Sequence, residues 1–273
     1  MRTQEKHATR FRSIQTSLLF VIVPAVIISM AVLSLMGYLS SKAIIQTSAG
    51  NEMSQCLSVA MGSIEMSLSN NRMVAETMAR GVEAVQRQAV KGEQTASDWD
   101  AAAYQEILTS FVGSNPETFG GGIWFEPYQY RPEQRYFSPY CMRQNGAVTY
   151  VDNYSLGEGV YYTDQDWYTN AANTTQKSVW SAPYYGEVAQ ISMVTSSAPI
   201  YDETGRFLGV ATADIDLTQM QQMVLSLDVV ANGRAFLIDD TGVYIADEDS
   251  EKLLSANILE DDNPSFAALG RQI

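Results

Sequence analysis

Eleven of the fifteen tyrosines fall between Tyr128 and Tyr185, with Trp167 and Trp180 among them and Trp124 just upstream. Core packing explains any one of these rings. A tyrosine, however, carries a hydroxyl that wants water or a partner, so a local concentration suits the wall of a small-molecule cavity. Asp152, Asp164, Asp166 and the later Asp214 bring carboxylates to the same region. Aromatic faces attract a cationic amine and carboxylates accept its protons. The chemistry on offer is recognition of an amine-bearing small molecule.

Other chemistry is missing from the sequence. His7 is the only histidine, so Ser-His-Asp, Cys-His and His-based metal arrangements are excluded after it. Gly120-Gly121-Gly122 leads into Ile123-Trp124-Phe125, a strand-like run, whereas a phosphate-binding loop would open a helix. Asp239-Asp240-Thr241-Gly242 lacks the alternating ligands and closing Glu of a calcium loop. Cys56 and Cys141 form no metal motif and are not expected to pair. Carboxylate pairs abound, but so acidic a chain supplies them by chance. No catalytic role, metal or cofactor is expected.

The formal charge of −14 leaves no basic face for nucleic acid, and 46% hydrophobic residues exclude wholesale disorder. Residues 1–12 hold Arg2, Lys6, Arg10 and Arg12 against Glu5 alone, leaving 13 basic and 30 acidic residues in the rest. That acidity favours cationic over anionic ligands.

These groups need elements to position them. No charge occurs from Ser13 to Ser41, and Leu18–Leu39 is almost continuously apolar. About 20 such residues span a hydrocarbon core, and a cleaved signal's apolar region runs only about 7–15. Pro24 is tolerable in a membrane helix. The basic flank places residues 1–12 in the cytoplasm and the chain after Lys42 outside.

From Lys42 to about Ala89 the sequence reads as one helix, since no proline occurs before Pro116. Met53, Leu57, Met61, Ile64 and Leu68 form a stripe that Met78, Val82 and Val85 resume. This stripe packs on its own domain, forms a homodimer seam, or does both. A second helix is expected from Ser97 or Asp98 to about Val112, ended by Asn115-Pro116.

After Gly120 the texture is β-rich. Asn145-Gly146 predicts a tight turn into a return strand at Ala147–Val151. Ile191–Ile200 and Phe207–Ile215 flank Asp202-Glu203-Thr204-Gly205 as a second hairpin, and Leu217–Leu227 reads as helix. After Asn232-Gly233 a strand, an acidic-Thr-Gly turn and a strand follow again (235–246), as an echo of that hairpin. This second module lacks closing elements before Ile273, so the chain is expected to continue.

These segments resemble the double-Cache sensor domains of bacterial chemoreceptors, sensor kinases and diguanylate cyclases. The telling stretches are GGIWFEPYQY, DQDWY from Asp164, WSAPY from Trp180 and MVTSSAPIYDETGRFLGVATADIDL, in that order. The resemblance implies an α+β ectodomain: a transmembrane helix (13–41) continuing into a long stalk helix, then tandem PAS-like (Cache) antiparallel-sheet modules, the second truncated. It implies a cytoplasmic tail (1–12), a stalk and membrane-distal module (42–228), and the start of a membrane-proximal module (229–273), in the bacterial inner membrane.

Amino-acid-binding members share a Tyr-x4-Arg-x-Trp-Tyr segment, a Tyr-x-Asp and an Asp near the last strand. Trp167, Tyr168, Tyr184 and Asp214 match. Gln165 stands in place of the Arg, Gly186 in place of the first Asp with Glu187 beside it, and Val160 in place of the leading Tyr with Tyr161 beside it. Arg131, Arg135 and Arg143 are the candidates to supply the missing cation from elsewhere. The ligand-binding set implied is Trp167, Tyr168, Tyr184, Asp214, Gln165, Tyr161 and Asp166. Asp214 is alternatively a cap before the Leu217 helix, and Trp167 a core residue. The resemblance implies a chemoreceptor input for an amine-bearing metabolite or amino acid, with sensor-kinase or cyclase input and a ligand-free structural ectodomain as alternatives.

Overall fold

A computed structural model describes residues 14–90, 101–151, 154, 161–227 and 234–272 of the 273. The charged N-terminal tail with His7, the expected helix start at Ser97 or Asp98, Asp152, Val160 and the Asn232-Gly233 turn lie outside these residues. Two compact units divide the chain, Met1–Gln55 and Cys56–Ile273. Helix α1 (Ile14–Val90) contributes to both.

In the first unit α1 is apolar all round. Ile22, Val26, Ile27, Leu33, Leu35 and Leu39 are all at least half exposed, and the best window of the helix has a mean hydropathy of 2.2 with none of it buried. A helix hydrophobic on every side belongs in a core or a membrane, and this one is long and apolar enough to cross a bilayer. Its polar side chains turn inward: Ser29 Oγ donates to the carbonyl of Ala25 at 2.8 Å.

In the second unit α1 acquires a buried face. Val74, Ala75, Met78, Ala79 and Val82 are buried, with Ile64, Leu68 and Val85 half-buried. Leu57 and Met61, by contrast, are 44% and 59% exposed. Of the expected stripe, therefore, only the part from Ile64 onward packs on its own domain, although Ala60, which is not one of the stripe residues, is also buried.

Helix α2 (Ala101–Ser114) adds Tyr104, Leu108 and Val112 at four-residue spacing, all buried against α1 and the sheet. It stops one residue before Asn115-Pro116, as expected, and Arg143 donates to the carbonyls of Val112, Asn115 and Thr118 just beyond.

The sheet comprises β1 (Gly120–Phe125), β2 (Tyr140–Gln144), β3 (Ala147–Val151), β4 (Val179–Trp180), β5 (Tyr184–Gly186), β6 (Ile191–Tyr201) and β7 (Phe207–Asp216). All pairings are antiparallel, in the order β3-β2-β1-β7-β6-β4, with β5 also on β6. Asn145 and Gly146 make the β2–β3 turn at φ 52° and 81°, the positive values that a two-residue hairpin turn of this hand needs. Strand alternation gives one face, with Ile123, Phe125, Ala211 and Ala213, to α1 and α2. The other face, with Trp124, Tyr140, Met142 and Val210, lies under α3 (Asp166–Ala172).

Helix α4 (Leu217–Leu225) follows β7, and Asp216 caps it by accepting from Thr218 N. Beyond it a short hairpin, β8 (Leu237–Ile238) with β9 (Tyr244–Ala246), precedes α5 (Pro264–Gly270). The echo seen in the sequence is a repeated turn. Asp202 Oδ1 accepts from Thr204 N, Thr204 Oγ1 and Arg206 N, and Asp239 Oδ1 accepts from Thr241 N, Thr241 Oγ1 and Val243 N. The architecture is α+β with a central antiparallel sheet. Cys56 and Cys141 are both free thiols, the second fully buried.

Candidate functional site

The β7 register fixes the centre of the site. Asp214 stands opposite Thr195 on β6 and opposite Gly120 on β1, on the face away from α1 and α2. Tyr140 stands opposite Gly122, one strand further out. Nothing projects from Gly120, so the Tyr140 phenol lies over bare backbone and donates to Asp214 Oδ2 at 2.8 Å. A Cβ on Gly120 would sit 2.1 Å from that phenol oxygen and 3.1 Å from Asp214 Oδ2.

A second chain of hydroxyls reaches the same carboxylate. Thr195 Oγ1 donates to Asp214 Oδ1 at 2.8 Å. Its one proton is thereby spent, so the 2.8 Å contact between Tyr184 Oη and Thr195 Oγ1 has the tyrosine as donor. Asp214 is only 3% exposed, and burial raises its pKa to about 6 against the pull of these two hydrogen bonds. Burial and the neighbouring Asp214 push Tyr140 well above its ordinary value, and Tyr184 moves the same way. Both phenols stay protonated donors.

Aromatic rings enclose the carboxylate. Trp124 lies with ring centroids 4.7 Å from Trp167, 4.9 Å from Tyr154 and 5.6 Å from Tyr140, and its indole N–H donates to Thr212 Oγ1 at 2.7 Å. The cavity between them encloses about 300 Å³, within the range of small-molecule sites. Glu187 and Val188 line its other end, beside half-exposed Tyr185.

No Lys or Arg is among the described residues lining the cavity, and none occurs in the sequence from 152 to 160. The three arginines considered for a carboxylate grip are placed elsewhere. Arg143 secures the end of α2, Arg131 lies over the Tyr130 ring and Arg135 over the Tyr136 ring. A buried carboxylate with hydrogen bonds but no counter-charge costs free energy that a cation in the cavity would recover.

Of the seven residues expected at the site, Trp167, Tyr184, Gln165 and Asp214 line the cavity. Gln165 occupies the N-cap position of α3 but makes no capping bond with its side chain, which leaves its amide for the cavity. The other three do not line it. Tyr168 is buried beside it and donates to Glu126 Oε2 at 2.7 Å. Tyr161 is 39% exposed with its ring 5.4 Å from Tyr136, and Asp166 is exposed in the first turn of α3. The reason is helical geometry: Asp166, Trp167 and Tyr168 are consecutive and point in three directions. Capping before the Leu217 helix falls to Asp216, so Asp214 is not a cap.

The sequence singles out Trp124 only as part of the aromatic concentration and does not single out Tyr140, Tyr154, Thr195 or Met193, all of which line the cavity. The alternation of β6 and β7 could have found Thr195 and Met193 from Asp214, because they share its face. Tyr140 could not be found so, since its role depends on which strand lies beside β1.

Residues 104–222 match the family model of the first PDC sensor domain of methyl-accepting chemotaxis protein-like receptors. The chain is 26% identical over 208 residues to the methyl-accepting chemotaxis protein McpA of Pseudomonas putida, covering 74% of this chain and 31% of that protein. It thus spans about a third of that relative's length. Two solved structures share the fold. Methyl-accepting chemotaxis protein X has a TM-score of 0.65 at 18% identity, over 84% of this chain and 82% of that one. The ligand-binding domain of the Pseudomonas aeruginosa amino acid chemoreceptor PctC, in complex with GABA, has a TM-score of 0.52 at 17% identity, over 77% and 80%. These relatives are methyl-accepting chemotaxis proteins, and residues 104–222 form a module similar to the first PDC sensor domain of that kind of protein.

Proposed function

We propose that this chain is the small-molecule-sensing input of a transmembrane chemoreceptor and that its ligand carries an amine. The observation that carries this reading is Asp214, a buried carboxylate ringed by Trp124, Tyr140, Tyr154, Trp167 and Tyr184, with no cationic side chain among the described residues lining the same cavity. A ligand ammonium would supply the missing charge to Asp214 and rest its face on the rings. The ligand of PctC, which bears an ammonium, supports the class.

Residues 13–41 would span the bacterial inner membrane with 1–12 in the cytoplasm, 42–228 would form the stalk and membrane-distal module, and 229–273 the start of a membrane-proximal one. Exposed Leu57 and Met61 on α1 support pairing with a second copy through the stalk.

A thermal-shift screen of the full chain in lipid nanodiscs tests the reading, with amines, amino acids and organic acids as probes. A ligand at a hundredfold excess over its Kd stabilises by about 2.7 kcal/mol. Amines and amino acids are expected to raise Tm while acids lacking an amine do not. A shift produced only by such acids would overturn the proposal.

A further inference from the structure

We infer that Met193 sets how long a ligand the cavity accepts, and that Gly186 is the condition for its doing so. The inference rests on the ammonium reading above only for where one end of the ligand lies. Met193 precedes Thr195 by two residues on β6 and faces the same way, so along the strand it stands roughly 7 Å from the Thr195–Asp214 pair. It is 3% exposed and forms the cavity wall with Gly186, Glu187 and Val188. A molecule anchored at Asp214 and extending toward the β5–β6 turn meets this thioether.

Gly186 explains how the thioether comes to be there. A Cβ at this position would lie 2.4 Å from Met193 Cε and 3.3 Å from its Sδ. The end of the methionine thus fills the volume that any side chain at 186 would occupy. An acid at 186 would displace it. Here that end of the cavity is closed by a flexible, polarisable and uncharged group. It accommodates an apolar tail, and the carboxylate at that end is Glu187 in the neighbouring wall. The contact involves the far end of a mobile side chain, so Gly186→Ala would push the methyl group into the cavity without breaking the backbone.

The test uses the full chain in nanodiscs, titrated calorimetrically with n-alkylammonium ions from methyl to hexyl and with n-alkanols of matching length. The native chain is expected to show a length beyond which affinity falls. Met193→Ala is expected to improve binding of the members beyond that length by about tenfold, the worth of burying one or two further methylenes, and to leave ethylammonium within about threefold. Gly186→Ala is expected to shorten the limit, and the double substitution to return it toward the native value. Met193→Leu, shorter but still filling the core, is expected to fall between and covers the case in which the alanine variant unfolds.

An unchanged limit in both Met193 variants overturns the inference, as do effects of the two substitutions that simply multiply. A limit that moves for both alcohols and ammonium ions upholds Met193 and removes the ammonium reading. A native chain that binds ammonium ions with a limit Met193 does not move does the reverse. No binding of either series to any variant removes both.

Discussion

Tyr140 donates to Asp214 across the bare backbone of Gly120, with 2.8 Å between phenol and carboxylate oxygens. Three strands meet in this one contact, so the acid is held by the sheet itself and not by a mobile loop. The relationship also explains why a glycine stands at position 120, in the middle of a sheet.

Gly120→Ala should therefore act on the site before it acts on the fold. Its methyl group would overlap the Tyr140 phenol, and a buried donor and acceptor left unpaired cost about 1–3 kcal/mol. Urea denaturation should show a loss of that order, and ligand affinity should fall by at least about tenfold. Tyr140→Phe should reproduce the affinity loss at a smaller cost in stability. Unchanged affinity in both variants would mean that the ligand does not use Asp214.

The Asp214 carboxyl predicts a pH dependence with a definite sign. In the fold its pKa is raised to about 6, against about 4 in an unfolded chain. Below pH 4 both states hold the proton and the group costs nothing. Between about 4 and 6 the native state binds more protons, so its contribution falls as pH rises, by about 3 kcal/mol in all at 1.36 kcal/mol per unit. Asp214→Asn should remove this slope and be more stable than the native chain above pH 6 but not at pH 4. Ligand binding should reverse it. A cation that ionises Asp214 should release a proton near pH 5, visible as a buffer-dependent calorimetric enthalpy, and its affinity should rise from pH 5 to 7.

Trp124 and Trp167, 4.7 Å apart, should bind charge and not merely shape. Trp167→Leu keeps an apolar side chain but removes a ring face worth about 0.5–2 kcal/mol to a cation. Affinity for a charged amine should drop about three- to thirtyfold, while an uncharged isostere should lose little. An equal loss for both would point to packing alone.

The two native thiols report orientation without any substitution. Cys56 is partly exposed and Cys141 fully buried in the core. In intact spheroplasts a membrane-impermeant maleimide should modify Cys56, and Cys141 should react only after denaturation. Labelling of Cys56 only after lysis would reverse the proposed topology.

Leu57→Asp with Met61→Lys tests the stalk as a seam. Both side chains are exposed, so folding should change by less than about 0.5 kcal/mol. Sedimentation in detergent should shift from dimer to monomer. A monomeric native chain would dispose of the seam.

The sequence by itself determined what depends on near neighbours. Apolar length fixed the helix able to cross a membrane, the absence of proline after Lys42 allowed α1 to run on, and Asn145-Gly146 and the two Asp-x-Thr-Gly turns fixed their hairpins, because such signals act within a few residues. Of the residues that local motif matching singles out, Trp167, Tyr184, Gln165 and Asp214 line the cavity and Tyr168, Tyr161 and Asp166 do not, since adjacency in sequence does not mean a shared direction. Only the tertiary structure decided that β1 lies between β2 and β7. That pairing brings Tyr140 over Gly120 to Asp214 from 74 residues away, and the pairing of β5 with β6 sets Met193 into the space left by Gly186. Contacts of that kind are properties of strand order and register, which no short window of sequence contains.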